Sequence, residues 1–272
     1  MPELPEVETT RRGIAPHVIG RCVVRIDVYD PRLRWPVPAD LDARMRGRTI
    51  ERVDRRGKYL LFHVGAAALL VHLGMTGTLR VYRDPPPRMT HDHVDIVLDD
   101  GARLRYRDPR RFGAMLWIAS TQAGHALLDA LGPEPFDPAF DADYLWRTTR
   151  PRRAAIKIAL MDNRVVAGVG NIYANEALFH AGIRPATRAN RLSNARLGRL
   201  VEAVREVLDA AIAKGGSTLR DYVGSDGSVG HFQLEHFVYG RAGEPCRICG
   251  GTVRQSRIGA RSSFHCARCQ RA

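Results

Sequence analysis

The sequence predicts an α+β chain of two domains that ends in a small cysteine-rich module, and three observations predict it. Strand-like segments rich in β-branched and aromatic residues dominate up to about residue 131. Beyond it the apolar residues fall into helical spacing. Four of the five cysteines, Cys246, Cys249, Cys266 and Cys269, then gather near the C-terminus.

In the first domain (1–131), Pro5 opens a short helix at its first turn and Gly13 closes it. Strands follow at Cys22–Tyr29, Tyr59–Val64, Ala68–Leu73, Thr78–Tyr82, His93–Leu98, Ala102–Tyr106 and Ala114–Ile118, with Asp99-Asp100-Gly101 turning a hairpin. Short strands at this spacing imply a sandwich or a barrel. Pro85-Pro86-Pro87 marks an exposed loop, and the isolated Cys22 reads as a buried thiol.

Gly132-Pro133-Glu134-Pro135 is a linker-like breaker that starts the second domain (132–230). Helices are expected at Tyr144–Thr148, Arg153–Met161, Ile172–Ala181 and Ser193–Lys214. The last carries Leu197, Leu200, Val201, Val204, Val207, Leu208, Ala211 and Ile212 on one stripe, with Ser193 as N-cap and Gly215 as stop. A glycine- and serine-rich loop, Gly215–Gly230, closes this domain, and 231–272 forms the cysteine module.

The formal net charge of +13 makes a polyanionic partner the first to consider, and most of the 42 basic residues are arginines, whose planar fork grips phosphate, although arginine enrichment also follows from a GC-rich genome. No apolar run approaches the ~20 residues of a membrane span, and the acidic start Pro2-Glu3-Leu4-Pro5-Glu6 is unlike a signal peptide. A soluble intracellular protein without a membrane partner is expected.

Cys246-x2-Cys249 and Cys266-x2-Cys269, 16 residues apart, have the spacing of two knuckles closing a tetrahedral zinc site. Four sulfur ligands leave no open position, so such a metal is structural. Arg254, Arg257 and Arg261 between the knuckles fit either a DNA-contacting hairpin or a zinc-stapled domain with solvated arginines. Gly168-Val169-Gly170-Asn171 before a helix lets backbone N–H groups approach a phosphate, or is an ordinary helix start. Removal of Met1 would expose Pro2 as a secondary amine, a group that is more often free base at neutral pH than lysine. Attack by that amine on a sugar C1′ gives an iminium that acts as an electron sink, and Glu3 is one residue away to supply a proton.

Taken in order, Pro2-Glu3-Leu4-Pro5-Glu6-Val7-Glu8, Lys58-Tyr59-Leu60, His72-Leu73-Gly74-Met75-Thr76-Gly77, Asp108-Pro109-Arg110-Arg111-Phe112-Gly113, Gly168–Tyr173 and the four cysteines resemble bacterial formamidopyrimidine-DNA glycosylases along essentially the whole chain. The resemblance implies an N-terminal β-sandwich with a catalytic N-terminal helix, a helix-two-turn-helix domain and a zinc finger, with DNA between the domains. It implies a monomer of the bacterial cytoplasm that excises oxidised purines (8-oxoguanine and formamidopyrimidines) from duplex DNA and then cleaves the strand by β,δ-elimination.

In that scheme Pro2 is the nucleophile, Glu3 the proton donor and Lys58 a general acid/base of β-elimination, while Arg261 serves δ-elimination and phosphate contact. Met75, Arg110 and Phe112 fill the void left by the flipped nucleotide. His72, His91, Arg152 (beside Arg153) and Asn171 contact phosphates, and Gly215–Gly230 is the lesion-recognition loop. Two other readings share these features: an endonuclease VIII-like glycosylase of oxidised pyrimidines, and a non-catalytic damage-binding protein. Pro2, Glu3 and Lys58 together argue against the second, and Leu4, Arg110 and Phe112 against the first.

Overall fold

The computed structural model describes residues 2–215 and 236–271. The chain forms two compact units, one reaching Asp129, the other taking Ala130–Lys214 together with the C-terminal segment. No helix among the described residues is long and apolar enough to cross a membrane.

The first unit opens with α1 (Leu4–Val18), followed by β1 (Val23–Val28), α2 (Leu41–Met45), β2 (Arg52–Arg56), β3 (Tyr59–Val64), β4 (Ala67–His72), β5 (Thr78–Tyr82), β6 (Asp92–Leu98), β7 (Arg103–Arg107), β8 (Ala114–Ile118) and α3 (Ala126–Asp129). The strands make two antiparallel four-stranded sheets, ordered β1-β6-β7-β5 and β2-β3-β4-β8. One core joins them: Ile26, Leu79, Ile96 and Leu104 from the first sheet meet Val53, Phe62, Leu69 and Met115 from the second, with Val7, Ile14 and Val18 of α1. The expected sandwich is therefore present, with α1 packed into its core.

Helix α1 runs past Gly13, where the sequence predicted its end. A mid-helix glycine costs about 1 kcal/mol. Burial of Ile14, Ala15 and Val18 offsets that cost, and the chain turns instead at Gly20, with φ +79°. Strand β2 escaped prediction because only Val53 in Arg52–Arg56 is buried. Cys22 is half-buried rather than enclosed.

The second unit holds α4 (Ala142–Thr149), α5 (Ile156–Met161), α6 (Asn171–His180) and α7 (Asn194–Ala213), then the hairpin of β9 (Val253–Ile258) and β10 (Arg261–Cys266). Asp141 caps α4 by accepting from Tyr144 N at 2.7 Å, and Ser193 caps α7. α5 begins at Ile156 instead of Arg153, because Ala155 bridges to Arg188 in extended geometry. The breaker at 132–135 is not slack: Gly132 N donates to Asn163 O at 2.8 Å, and a Cβ there would lie 2.6 Å from Arg164 O. Of the expected loop Gly215–Gly230, residues 216–230 lie outside the described residues.

Candidate active site and nucleic-acid interface

Pro2, Glu3, Lys58, His72, Met75, His91, Arg110 and Phe112 belong to the first unit. Arg152, Asn171, Arg261 and the four cysteines belong to the second.

Pro2 immediately precedes the N-cap of α1 and lines a cavity of about 700 Å³ together with Met75, Thr76, Arg80, Arg107 and Pro109. Glu3 is that N-cap and is fully buried. Its carboxylate accepts from Glu6 N, and the Glu6 carboxylate accepts from Glu3 N at 2.8 Å. This reciprocal capping box fixes the backbone on which Pro2 is mounted. Glu8, one turn on, anchors the helix through Arg11, Arg12 and Arg55. Burial alone would raise its pKa, but hydrogen bonds from Arg11 and Arg12 bring it down to about 2.

Lys58 is buried beside β3, and its charge reaches His72 at the end of β4. Burial, then Lys58 and Arg34, push the His72 imidazole down to about 4, so it is neutral at physiological pH. Its Nδ1 accepts from Gly74 N at 3.1 Å, which places the ring proton on Nε2. His72 can thus offer a neutral N–H to an anion. It packs at 4.9 Å from the Tyr59 ring, its cross-strand partner.

Met75 is half-buried and Phe112 is 46% exposed, so neither belongs to the core. The exposed Arg110 guanidinium stacks 4.8 Å from the centre of the Phe112 ring. The two loops that carry these residues are held against each other. Asp108, fully buried, accepts from Thr76 Oγ1 at 2.8 Å, Gly113 N at 2.8 Å and Arg110 N at 3.3 Å. The Tyr106 hydroxyl lies 3.4 Å from the same carboxylate, and burial pushes its pKa up, so it remains a donor.

Glycines permit the contact. A Cβ on Gly74 would lie 2.8 Å from Phe112 O and closer still to Gly113 N, and one on Gly113 would lie 2.6 Å from His72 O. His91 adopts φ +76° and Arg111 φ +58°, a left-handed backbone that is costly for side chains of this size. Asp108 N donates to His91 O at 3.1 Å, which ties that strained residue to the same corner.

In the second unit Asn171 is the first residue of α6, and Gly170, not Asn171, is the N-cap. The Asn171 Oδ1 is buried and meets no hydrogen-bond partner among the described residues. Arg152 donates to Asp162 at 2.8 Å, whereas Arg153 is exposed and has no ion pair among the described residues. Burial would raise the pKa of Asp162, but Arg164 and Arg152 pull it down to about 2.

Arg261 is exposed and opens β10, directly after the hairpin turn at Gly259 with φ +61°. Three polar residues absent from the sequence-based site seat the C-terminal segment, two of them on that hairpin and the third on the stretch that leads into the cysteine module. Lys157, fully buried in α5, donates to Ser262 O at 2.6 Å, and Asn175 accepts from Phe264 N at 2.8 Å. Glu176 accepts from the backbone N–H groups of Phe237, Val238 and Tyr239 at 2.8–3.0 Å. Their signal in the sequence is that all three are polar residues inside otherwise apolar helices.

The ligand atoms of Cys246, Cys249, Cys266 and Cys269 all lie within 4.8 Å of one another, a donor set of the size and softness that fits one tetrahedral zinc ion. Gly250, at φ +69°, makes the tight turn of the first knuckle.

Three family descriptions match along the chain. Residues 1–115 match the formamidopyrimidine-DNA glycosylase N-terminal domain, 131–223 its H2TH domain, and 243–272 a zinc finger found in FPG and IleRS. A formamidopyrimidine-DNA glycosylase of Cupriavidus pinatubonensis is 59% identical, covering 99% of this chain and all of the relative. One of Stutzerimonas stutzeri is 57% identical, with both chains fully covered. Among solved structures, a complex of Lactococcus lactis Fpg with abasic-site DNA superposes with a TM-score of 0.90 at 34% identity, over 99% of this chain and all of that one. A complex of the same organism's Fpg with Fapy-dG DNA gives 0.89 at 34%, over 99% and 100%.

Proposed function

The chain belongs to the formamidopyrimidine-DNA glycosylase family, and on that premise we propose that it is a bifunctional glycosylase and abasic-site lyase. It excises 8-oxoguanine and formamidopyrimidines from duplex DNA through a Schiff base on Pro2. The observation that carries this reading is the placement of Pro2 and Met75 on one cavity: a nucleophile and a wedge facing the same space.

Once Met1 is removed, the Pro2 nitrogen attacks C1′ of the flipped nucleotide. The N-glycosidic electron pair leaves with the base, the Pro2 nitrogen gives up its proton, and its lone pair then opens the sugar: the C1′–O4′ bond breaks and O4′ takes a proton from Glu3, held by its capping box beside Pro2. The resulting iminium makes the adjacent C2′–H acidic, and β-elimination breaks the C3′–O bond with Lys58 as acid/base. Arg261 serves the second elimination and holds a phosphate. Met75, Arg110 and Phe112 occupy the vacated stack, a role consistent with their lying outside the core. His72, His91, Arg152 and Asn171 contact the phosphate backbone. The cysteines hold one structural Zn²⁺, which supplies folding energy to the finger.

The test is base release from two duplexes, one carrying 8-oxoguanine opposite cytosine and one carrying 5-hydroxyuracil. Faster release of the purine is expected. Preference for the pyrimidine would move the chain's activity to the endonuclease VIII type.

A further inference from the structure

Away from every residue assigned above, the loop between α6 and α7 and the first turn of α7 enclose a pocket of about 560 Å³ lined by Arg184, Ala186, Thr187, Arg188, Arg191 and Arg196. Four of the six lining residues are arginines and none is acidic. Arg184, Arg188 and Arg191 are exposed and have no carboxylate partner among the described residues. Glu8, Asp95 and Asp162, by contrast, each hold arginines in ion pairs.

Arg196 sharpens the point. It is half-buried in the first turn of α7, a turn without acidic residues, where the aligned backbone dipoles already disfavour a cation. Its guanidinium is fixed by donation to Arg271 O at 2.9 Å. Burial and the neighbouring Arg199 both lower its pKa. Arg184, Arg188 and Arg191, gathered around the same pocket with no carboxylate partner among the described residues, make it a site that suits an anion.

The pocket is also joined to the segment that carries Arg152. Ile156 N donates to Thr187 O at 2.8 Å, Ala189 N to Ala154 O at 2.9 Å, and Arg150 to Asn190 O at 2.7 Å.

We propose that the Arg184–Arg188–Arg191–Arg196 pocket is a further phosphate-binding site, which holds a backbone phosphodiester of the duplex flanking the stretch engaged through Arg152. The proposal rests on the reading of the chain as a duplex-DNA enzyme. Its contacts lie outside the chemistry, so the site serves retention on long DNA rather than excision.

The test compares the intact protein with R188A/R191A on lesion duplexes reaching about one or about three helical turns beyond the lesion. Affinity is measured across a salt series and excision under single turnover. For the unaltered protein the salt slope should be steeper on the long duplex. The variant should lose about one from that slope on the long duplex only, as expected for one phosphate contact, with unchanged excision. Equal slopes for both proteins on both duplexes, with excision intact, would overturn the pocket while leaving the glycosylase reading standing. Loss of excision in the unaltered protein would instead sink that reading.

A third arm adds inorganic phosphate without DNA and follows thermal unfolding. Stabilisation of the unaltered protein but not of R188A/R191A, joined to identical slopes on long DNA, would make this a small-anion site and overturn its assignment to the duplex. Loss of slope on the long duplex supports the assignment.

Discussion

The carboxylate of Asp108 accepts from the backbone N–H of Gly113 at 2.8 Å while its other oxygen takes the Thr76 hydroxyl at the same distance. One buried side chain thereby ties the turn carrying Met75 to the loop carrying Arg110 and Phe112. Asp108→Asn keeps the size but replaces one acceptor by a donor facing N–H and O–H groups. Leaving a buried donor unpaired costs about 1–3 kcal/mol. The variant should unfold at lower denaturant by that amount. It should also excise 8-oxoguanine more slowly than a surface variant of equal stability. Normal single-turnover excision alongside the stability loss would show that the bracing does not matter to the void-filling proposed for Met75, Arg110 and Phe112.

His72 is neutral at physiological pH because burial, Lys58 and Arg34 lower its pKa to about 4. In the unfolded chain it titrates near 6.5, so between about 6.5 and 4 the unfolded state binds the extra proton. Its contribution to stability is therefore complete above about 6.5 and declines as pH falls towards 4. His72→Phe should flatten the stability profile across that window. As a neutral donor it releases no counterion, so the same variant should weaken DNA binding at pH 7.5 without changing the salt slope. A slope lower by about one would mean that the imidazole binds as a cation.

Lys157 is fully buried and reaches the Ser262 carbonyl at 2.6 Å, next to Arg261. Lys157→Met fills the space but removes the donor, and one unpaired buried carbonyl costs about 1–3 kcal/mol. The hairpin tip should loosen, with faster amide exchange in β10 and less complete δ-elimination. Unchanged exchange at Ser262–Phe264 would remove the support assigned to Lys157.

Chelation of the proposed zinc should unfold the cysteine segment first, since only a small cluster of Phe179, Val238, Val253 and Phe264 packs with the converging sulfurs. Circular dichroism and strand-cleavage assays on chelated protein check this. Full cleavage by a protein shown to be metal-free would make the zinc dispensable.

Periodicity located β3, β5 and β8 to the residue, because each alternates or runs apolar against a buried face. It stopped α1 too early because a glycine propensity is small beside the burial of Ile14 and Val18. It missed β2 and α2, short elements with one and two buried residues. The cysteine site was legible from spacing alone. Pro2, Glu3 and Lys58 become candidates only through the joint pattern of motifs, since none is distinctive by itself, and their proposed roles await the experiments above. Asp108, Lys157, Asn175 and Glu176 were not legible as supports, because a buried polar residue reveals its partner only when distant segments meet. Asp108 and Gly113 stood in the quoted motif, yet nothing in the motif says that the carboxylate reaches back to Thr76.

The proposed reaction turns on a covalent intermediate at Pro2. Borohydride reduction during reaction with a duplex carrying one 8-oxoguanine opposite cytosine, followed by peptide mapping, tests it directly. A stable protein–DNA adduct on Pro2 of protein lacking Met1 is expected. An adduct on Lys58 or another amine, or no adduct from protein that lacks Met1 and still binds the duplex, would contradict it.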